Sequence, residues 1–79
     1  MLLMLTREAK QYEGLLKRLG EFVRTRRKQA GLTQFQLAKL AKVSVRTIYR
    51  VERGSAKTKI GTLIKILEII DADNTVSID

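Results

Sequence analysis

Apolar residues recur at helical spacing along most of the chain, in stretches separated by glycines and short polar residues. The first stretch has apolar residues at 15, 16, 19, 22 and 23, which predicts an amphipathic helix that enters the basic cluster 24–28 and ends at Gly31. Thr6 is the predicted N-cap of a first helical stretch, which precedes these residues in the chain. Gly14 and Gly20 each lower helix stability by up to about 1 kcal/mol, so a break near either glycine is an open alternative.

Two short helices are predicted in the middle of the chain. Thr33 and Gln36 form a capping box at the start of a helix over residues 34–41. Lys42 and Val43 make a tight turn, and Ser44 then caps a helix over residues 45–53. The residues predicted to be buried are Phe35 or Leu37, Ala38 and Ala41 in the first of these helices, and Ile48 and Val51 in the second.

A last helix begins at Thr58 or Lys59 and has a wide apolar face. Its main stripe consists of Ile60, Leu63, Ile64, Leu67 and Ile70, with Ile66 and Ile69 beside it. Residues 75–78 then alternate like a short strand. Surplus apolar surface and an unpaired strand edge both favour a twofold partner. The predicted dimer interface therefore consists of Ile66, Ile69, Ile70, Val76 and Ile78. A frayed terminus over 72–79 is the other interpretation.

The residue types that the chain lacks exclude several classes of function. The 79 residues include no cysteine and no histidine, which excludes disulfides, zinc sites built on thiolate or imidazole ligands, and Ser-His or Cys-His catalysis. We therefore predict a protein that is not an enzyme and needs no cofactor or metal. The longest apolar run, Met1–Leu5, is too short to cross a membrane, which predicts a cytoplasmic protein with no membrane partner.

Positive charge is concentrated in the middle of the chain. The net charge is +8, but residues 22–60 alone hold eleven basic residues and one acid, Glu52. Residues 61–79 have a net charge of −3. A basic centre between flanks of low charge is typical of a protein that binds a polyanion, so we predict a nucleic acid as the partner. The outer face of the second short helix narrows this prediction to double-stranded DNA.

The second short helix has an outer face suited to DNA recognition. With Ile48 and Val51 buried, Arg46, Arg50 and Arg53 form one basic stripe, and Val45 and Tyr49 also point outward. A helix of this size fits the major groove, where a guanidinium can pair bidentately with guanine. Phosphate contacts or surface ion pairs are the alternative roles for these arginines, most of all for Arg53.

Residues 31–54, GLTQFQLAKLAKVSVRTIYRVERG, resemble the DNA-binding core of the Cro/cI-type (XRE) helix-turn-helix family. With the flanking helices, the resemblance covers about residues 16–70. It implies an all-α, lambda-repressor-like bundle of four to five helices, to which a short C-terminal β-strand at a dimer interface could be added. The expected organisation is an N-terminal extension over 1–15, partly helical, a DNA-binding domain over 16–71 and a C-terminal tail over 72–79.

The resemblance also implies roles for individual residues. The expected base contacts are Ser44, Val45, Arg46, Tyr49 and Arg50. The expected phosphate contacts are Thr33, Gln34, Arg53, Ser55, Lys57 and Lys59. Arg27 and Glu52 match an ion pair of the family that ties the first helix to the end of the third. Lys42 departs from the family pattern, which usually has glycine there, so a left-handed backbone at Lys42 would be strained.

Three functions fit these expectations. The first is a homodimeric repressor that recognises a palindromic operator. The second is an antitoxin that binds a protein toxin and regulates its own operon, because the last helix and the alternating residues after it are similar to HipB-like antitoxins. The third is a basic protein that coats DNA without sequence preference, which would bind every duplex with similar affinity.

Overall fold

Four helices make up the part of the chain that the structure, a computed structural model, describes: residues 12–71. Helix α1 spans Glu13–Gln29, α2 Gln34–Ala41, α3 Val45–Glu52 and α4 Ile60–Ile70, and residues 12–71 form no strand. The all-α class predicted from the sequence is confirmed. The predicted N-cap at Thr6, the strand over 75–78 and the interface residues Val76 and Ile78 lie outside the described residues.

Helix α1 continues without a break through both of its glycines. Gly20 is buried against the end of α3, where a Cβ atom on it would lie 2.5 Å from the carbonyl oxygen of Val51 and 2.6 Å from that of Glu52. A side chain at residue 20 would therefore push the two helices apart. The glycine that weakens α1 locally is the residue that lets α1 and α3 approach closely.

The core forms where the four helices meet. Its buried apolar side chains are Val23 of α1, Leu37, Ala38 and Ala41 of α2, Ile48 and Val51 of α3, and Ile66 and Ile70 of α4. Between the two alternatives for α2, the structure buries Leu37 completely and leaves Phe35 62% exposed. Leu37 precedes Ala41 by four residues, so both side chains lie on one face of the helix.

Helix α4 is rotated relative to the prediction: Leu63, Leu67 and Ile70 of the predicted stripe do face the core, but Ile60 and Ile64 do not, and Ile66 takes the central place. Ile66 is fully buried and Ile70 is 5% exposed, whereas Ile60 is 72% and Ile64 48% exposed. The residues of α4 that pack at the margin of the core are Leu63, Leu67 and Ile69. The structure thus corrects the assignment of Ile66 and Ile70 to a dimer interface. Because α4 packs against both α1 and α2, these two side chains are covered by the chain's own core.

Candidate nucleic-acid interface

Three residues, 42–44, join α2 to α3 and fix the angle between them. Lys42 has φ 57° and ψ 44°, in the left-handed region that L residues with side chains avoid. This conformation lets the amide of Val43 donate to the carbonyl of Ala38 at 3.0 Å, which closes the end of α2. The turn thus has the strained backbone that was expected at Lys42.

Side-chain caps set the first residues of both short helices. The Oγ1 atom of Thr33 accepts a hydrogen bond from the amide of Gln36 at 3.0 Å, and the Gln36 side chain accepts one from the Thr33 amide at 2.9 Å. The Oγ atom of Ser44 accepts from the amide of Thr47 at 3.1 Å. The predicted capping box and the predicted cap of α3 are both confirmed.

Glu52 connects α3 to α1 and to the start of α2. Its carboxylate accepts hydrogen bonds from Nε of Arg27 at 2.6 Å and from Nη2 at 3.1 Å, and the two side chains are only 4% and 10% exposed. Arg27 also donates to the carbonyl of Leu32 at 2.8 Å. The side-chain amide of Gln34 donates to Oε1 of Glu52 at 3.1 Å. Arg27 and Glu52 thus form the pair that the resemblance implied, and Gln34 shares it.

The outer face of α3 is open to solvent. Ile48 and Val51 anchor the helix in the core. The exposed residues of this helix and its C-cap are Val45, Arg46, Tyr49, Arg50 and Arg53. Within residues 12–71, the side chains of Arg46 and Arg50 form no hydrogen bond and no ion pair, so both guanidinium groups are available to a ligand.

Tyr49 and Arg53, by contrast, bind each other. Nη1 of Arg53 donates to the hydroxyl of Tyr49 at 2.6 Å, and the guanidinium carbon lies 5.3 Å from the centre of the tyrosine ring. The two residues are one helical turn apart, so their side chains lie on the same side of α3. Tyr49, which was expected to contact bases, and Arg53, which was expected to contact phosphate, are thus in direct contact with each other.

Two grooves border α3, one on each side. Val45, Tyr49 and Arg53 line a groove of about 680 Å³ together with Thr33 and Gln34 at the start of α2. A smaller groove of about 240 Å³ lies on the other side of the helix, between Arg50, Thr47 and the segment that follows α3.

The segment after α3 supplies lysines to the smaller groove. Lys57 and Lys59 line it together with Arg50, so two of the expected phosphate contacts meet one of the expected base contacts. Ser55 is not part of this lining, and its hydroxyl accepts a hydrogen bond from the amide of Lys57 at 3.2 Å. Its hydroxyl therefore stabilises the segment locally.

Comparison with known families gives this arrangement a name. A family model described as a helix-turn-helix domain matches residues 18–76, which is most of the chain. The protein belongs to the helix-turn-helix domain family. No curated protein matches the chain. In helix-turn-helix terms, α2 is the first helix of the motif, residues 42–44 are its turn and α3 is its second helix, the one that DNA-binding members place in the major groove.

Two further residues beside α3 were not predicted as contacts from the sequence. Arg24 and Phe35 line the larger groove beside Arg53. Arg24 precedes Arg27 by three residues and is exposed, which places a free cation beside the buried pair. The ammonium group of Lys39 lies over the ring of Phe35, 5.8 Å from the ring centre, in a cation–π contact. The spacing to Arg27 could have indicated Arg24, whereas the exposure of Phe35 depended on which face α2 buries.

None of the helices within residues 12–71 has the length and apolar character needed to cross a membrane.

Proposed function

We propose that this helix-turn-helix protein is a sequence-specific DNA-binding transcriptional regulator that inserts α3 into the major groove. The observation that carries the proposal is the outer face of α3, where Arg46 and Arg50 are exposed and have no partner within residues 12–71. A guanidinium group can pair bidentately with O6 and N7 of guanine. A helix of eight residues is about 12 Å long, which suits the depth and width of the groove.

The grooves beside α3 support contacts to both DNA strands. On one side, Gln34, Arg53 and the backbone of Thr33 at the N-terminus of α2 are proposed to bind phosphate. On the other side, Lys57 and Lys59 are proposed to bind phosphate from the segment after α3. Phosphate contacts on both sides would fix the orientation of the helix, while Arg46 and Arg50 contact base edges with Ser44 and Val45.

We infer further that the regulator is a homodimeric repressor whose DNA-binding domain spans residues 16–71. Two copies related by a twofold axis would contact half-sites about 34 Å apart on a palindromic operator. Exposed apolar side chains on two helices support dimerisation: Leu15 and Phe22 of α1 and Ile60 and Ile64 of α4 are all exposed. Exposed apolar side chains of neighbouring helices favour a protein partner.

The same exposed apolar side chains support a second candidate, an antitoxin that binds a protein toxin and regulates its own operon. Both candidates use α3 for DNA and differ in what covers α1 and α4. Size measurement of the purified protein, alone and after co-expression with the product of the neighbouring gene, separates them. A homodimer that takes up no second protein favours the repressor, and a stable complex of two different chains favours the antitoxin.

The first test of DNA recognition is fluorescence anisotropy with the protein's own upstream DNA and a shuffled duplex over a series of salt concentrations. A dimer that makes about 6–10 phosphate contacts should give a log–log salt slope of about −5 to −9 on both duplexes. Recognition of bases should add a preference of at least about a thousandfold for the native operator. Equal affinity for both duplexes would indicate a protein that coats DNA, and no binding at low salt would refute the proposal.

Two substitutions separate base contacts from phosphate contacts. Arg46→Ala should weaken binding to the operator by about 1–3 kcal/mol per half-site and relax the preference at one base position of each half-site. Lys57→Ala should weaken binding to the operator and the shuffled duplex alike and lower the magnitude of the salt slope by about 2, because each copy of the homodimer loses one phosphate contact. Equal losses on both duplexes for Arg46→Ala would remove Arg46 from the base contacts.

A further inference from the structure

The pair formed by Tyr49 and Arg53 stands out among the exposed side chains of α3. Arg53 is the C-cap residue of the helix, and its guanidinium group is held at two points, by the tyrosine hydroxyl at 2.6 Å and by the ring face at 5.3 Å. Both residues are exposed, Tyr49 to 49%. Neither side chain fills the core, so the contact contributes to the stability of the fold only as an exposed pair within one helix.

Arg53 differs in this respect from the other arginines of the stripe. Arg46 and Arg50 have no partner within residues 12–71 and keep their rotational freedom. A long side chain that is already held in one conformation loses less entropy when it binds a ligand. The hydrogen bond to Tyr49 uses one of the five guanidinium donors, so Arg53 retains enough donors for a bidentate contact with phosphate.

The held guanidinium borders the groove that also contains the start of α2. Tyr49, Arg53 and Gln34 all line this groove. The amide of Gln34 is itself fixed by its hydrogen bond to Glu52 at 3.1 Å. Two groups proposed to bind phosphate on this side of α3 are therefore oriented before DNA arrives, each by a neighbouring side chain of α3.

We propose that Tyr49 is a positioning residue, which holds the guanidinium group of Arg53 toward a DNA phosphate, and that it does not contact bases. The inference rests on the proposed function, because it needs DNA on this face of α3. It gives Tyr49 a different role from the base contact implied by the family resemblance. It also predicts that the energetic effect of Tyr49 depends on Arg53.

A double-mutant cycle tests this coupling. Binding is measured by anisotropy for the wild type, Tyr49→Phe, Arg53→Ala and the double variant, each with the native upstream duplex and the shuffled duplex. Tyr49→Phe removes only the hydroxyl group that accepts the hydrogen bond. Tyr12→Phe is the matched control, because it removes the same atom from the chain's other tyrosine, which is exposed at the start of α1. Melting temperatures should agree within about 4 °C, since the substituted side chains are exposed.

The positioning role gives a specific set of results. Tyr49→Phe should weaken binding to both duplexes by about two- to tenfold for each protomer bound, because the freed Arg53 side chain then loses its rotamer entropy on binding. Arg53→Ala should lower the magnitude of the salt slope by about 2, because each copy of the homodimer loses one phosphate contact. In the Arg53→Ala background, Tyr49→Phe should change affinity by less than about twofold, because the group that it positions is gone. Tyr12→Phe should leave both affinities unchanged.

Other results would overturn the inference in distinguishable ways. A loss confined to the native duplex would make Tyr49 a base contact. An equal loss with and without Arg53 would show that Tyr49 acts independently, and no loss at all would remove it from the interface. If the wild type binds neither duplex, the proposed function itself fails. If the wild type binds and the cycle shows no coupling, only the positioning role fails.

Discussion

Gly20→Ala tests the close approach of α1 to α3. In an ordinary helix this change stabilises by about 1 kcal/mol, because alanine has the higher helix propensity. At residue 20, however, the added Cβ atom would lie 2.5 Å and 2.6 Å from the carbonyl oxygens of Val51 and Glu52, and real Cβ atoms essentially never come closer than 3.0 Å. Both contacts are with backbone, so a rotamer change cannot relieve them. The helices must separate by about 0.5 Å.

Separating the two helices should cost more free energy than the higher helix propensity of alanine contributes. Overpacking a tight core contact costs about 1–3 kcal/mol, and here it also loosens Glu52, whose carboxylate holds Arg27 at 2.6 Å. We expect Gly20→Ala to lower the free energy of unfolding by up to about 2 kcal/mol overall. For a domain of this size, the melting temperature should fall by up to about 15 °C.

The matched control is Gly14→Ala, the same change in the same helix. A Cβ atom on Gly14 meets no atom within 4 Å. Gly14→Ala should therefore raise the free energy of unfolding by up to about 1 kcal/mol. Thermal and urea denaturation followed by circular dichroism measure both variants. A loss of stability for Gly20→Ala together with a gain for Gly14→Ala would support the close packing of α1 on α3. A Gly20→Ala protein as stable as the Gly14→Ala protein would refute it.

Three further predictions concern the turn, the buried pair and the caps. Lys42→Gly should stabilise by about 0.5–1 kcal/mol, because glycine adopts the left-handed backbone with φ 57° without steric cost. Lys42→Ala controls for the lost charge, and a glycine variant less stable than the alanine variant would contradict the argument. Arg27→Met should lower the free energy of unfolding in urea by about 3–5 kcal/mol, because it leaves the carboxylate of Glu52, 4% exposed, without its cation. A loss below about 1 kcal/mol would show that the pair is better solvated than its burial indicates. Thr33→Ala and Ser44→Ala should each destabilise by about 1 kcal/mol in thermal denaturation through the loss of a helix cap; unchanged melting temperatures would mean that water replaces both caps.

The sequence predicted those parts of the structure that depend on residues close together in the chain. The capping box of Thr33 and Gln36 and the cap at Ser44 join residues three apart, so the residue types by themselves favour a helix start there. The buried positions Ile48 and Val51 followed from helical spacing in a short helix with few apolar residues. The same spacing left five side chains outward at the face where the candidate interface lies.

The sequence was least informative where apolar residues outnumber the places available in the core. Seven of the eleven residues of α4 are isoleucine or leucine, so several rotations of the helix would bury a continuous stripe. The structure buries Ile66 and Ile70 and exposes Ile60 and Ile64 because α4 must fit against both α1 and α2. For α2, the choice between Phe35 and Leu37 likewise depended on the neighbouring helices.

The sequence by itself determined the starts of α2 and α3, the turn between them and the basic face of α3, since these depend on hydrogen bonds and spacings within about one helical turn. Only the tertiary structure decided that Gly20 lets α1 pack closely on α3 and does not break α1. That role depends on carbonyl groups more than thirty residues away in sequence. It likewise placed Gln34 on the carboxylate of Glu52 and Arg53 on the ring of Tyr49. Such contacts depend on how the helices pack and which rotamers the side chains adopt, and local sequence patterns do not specify either.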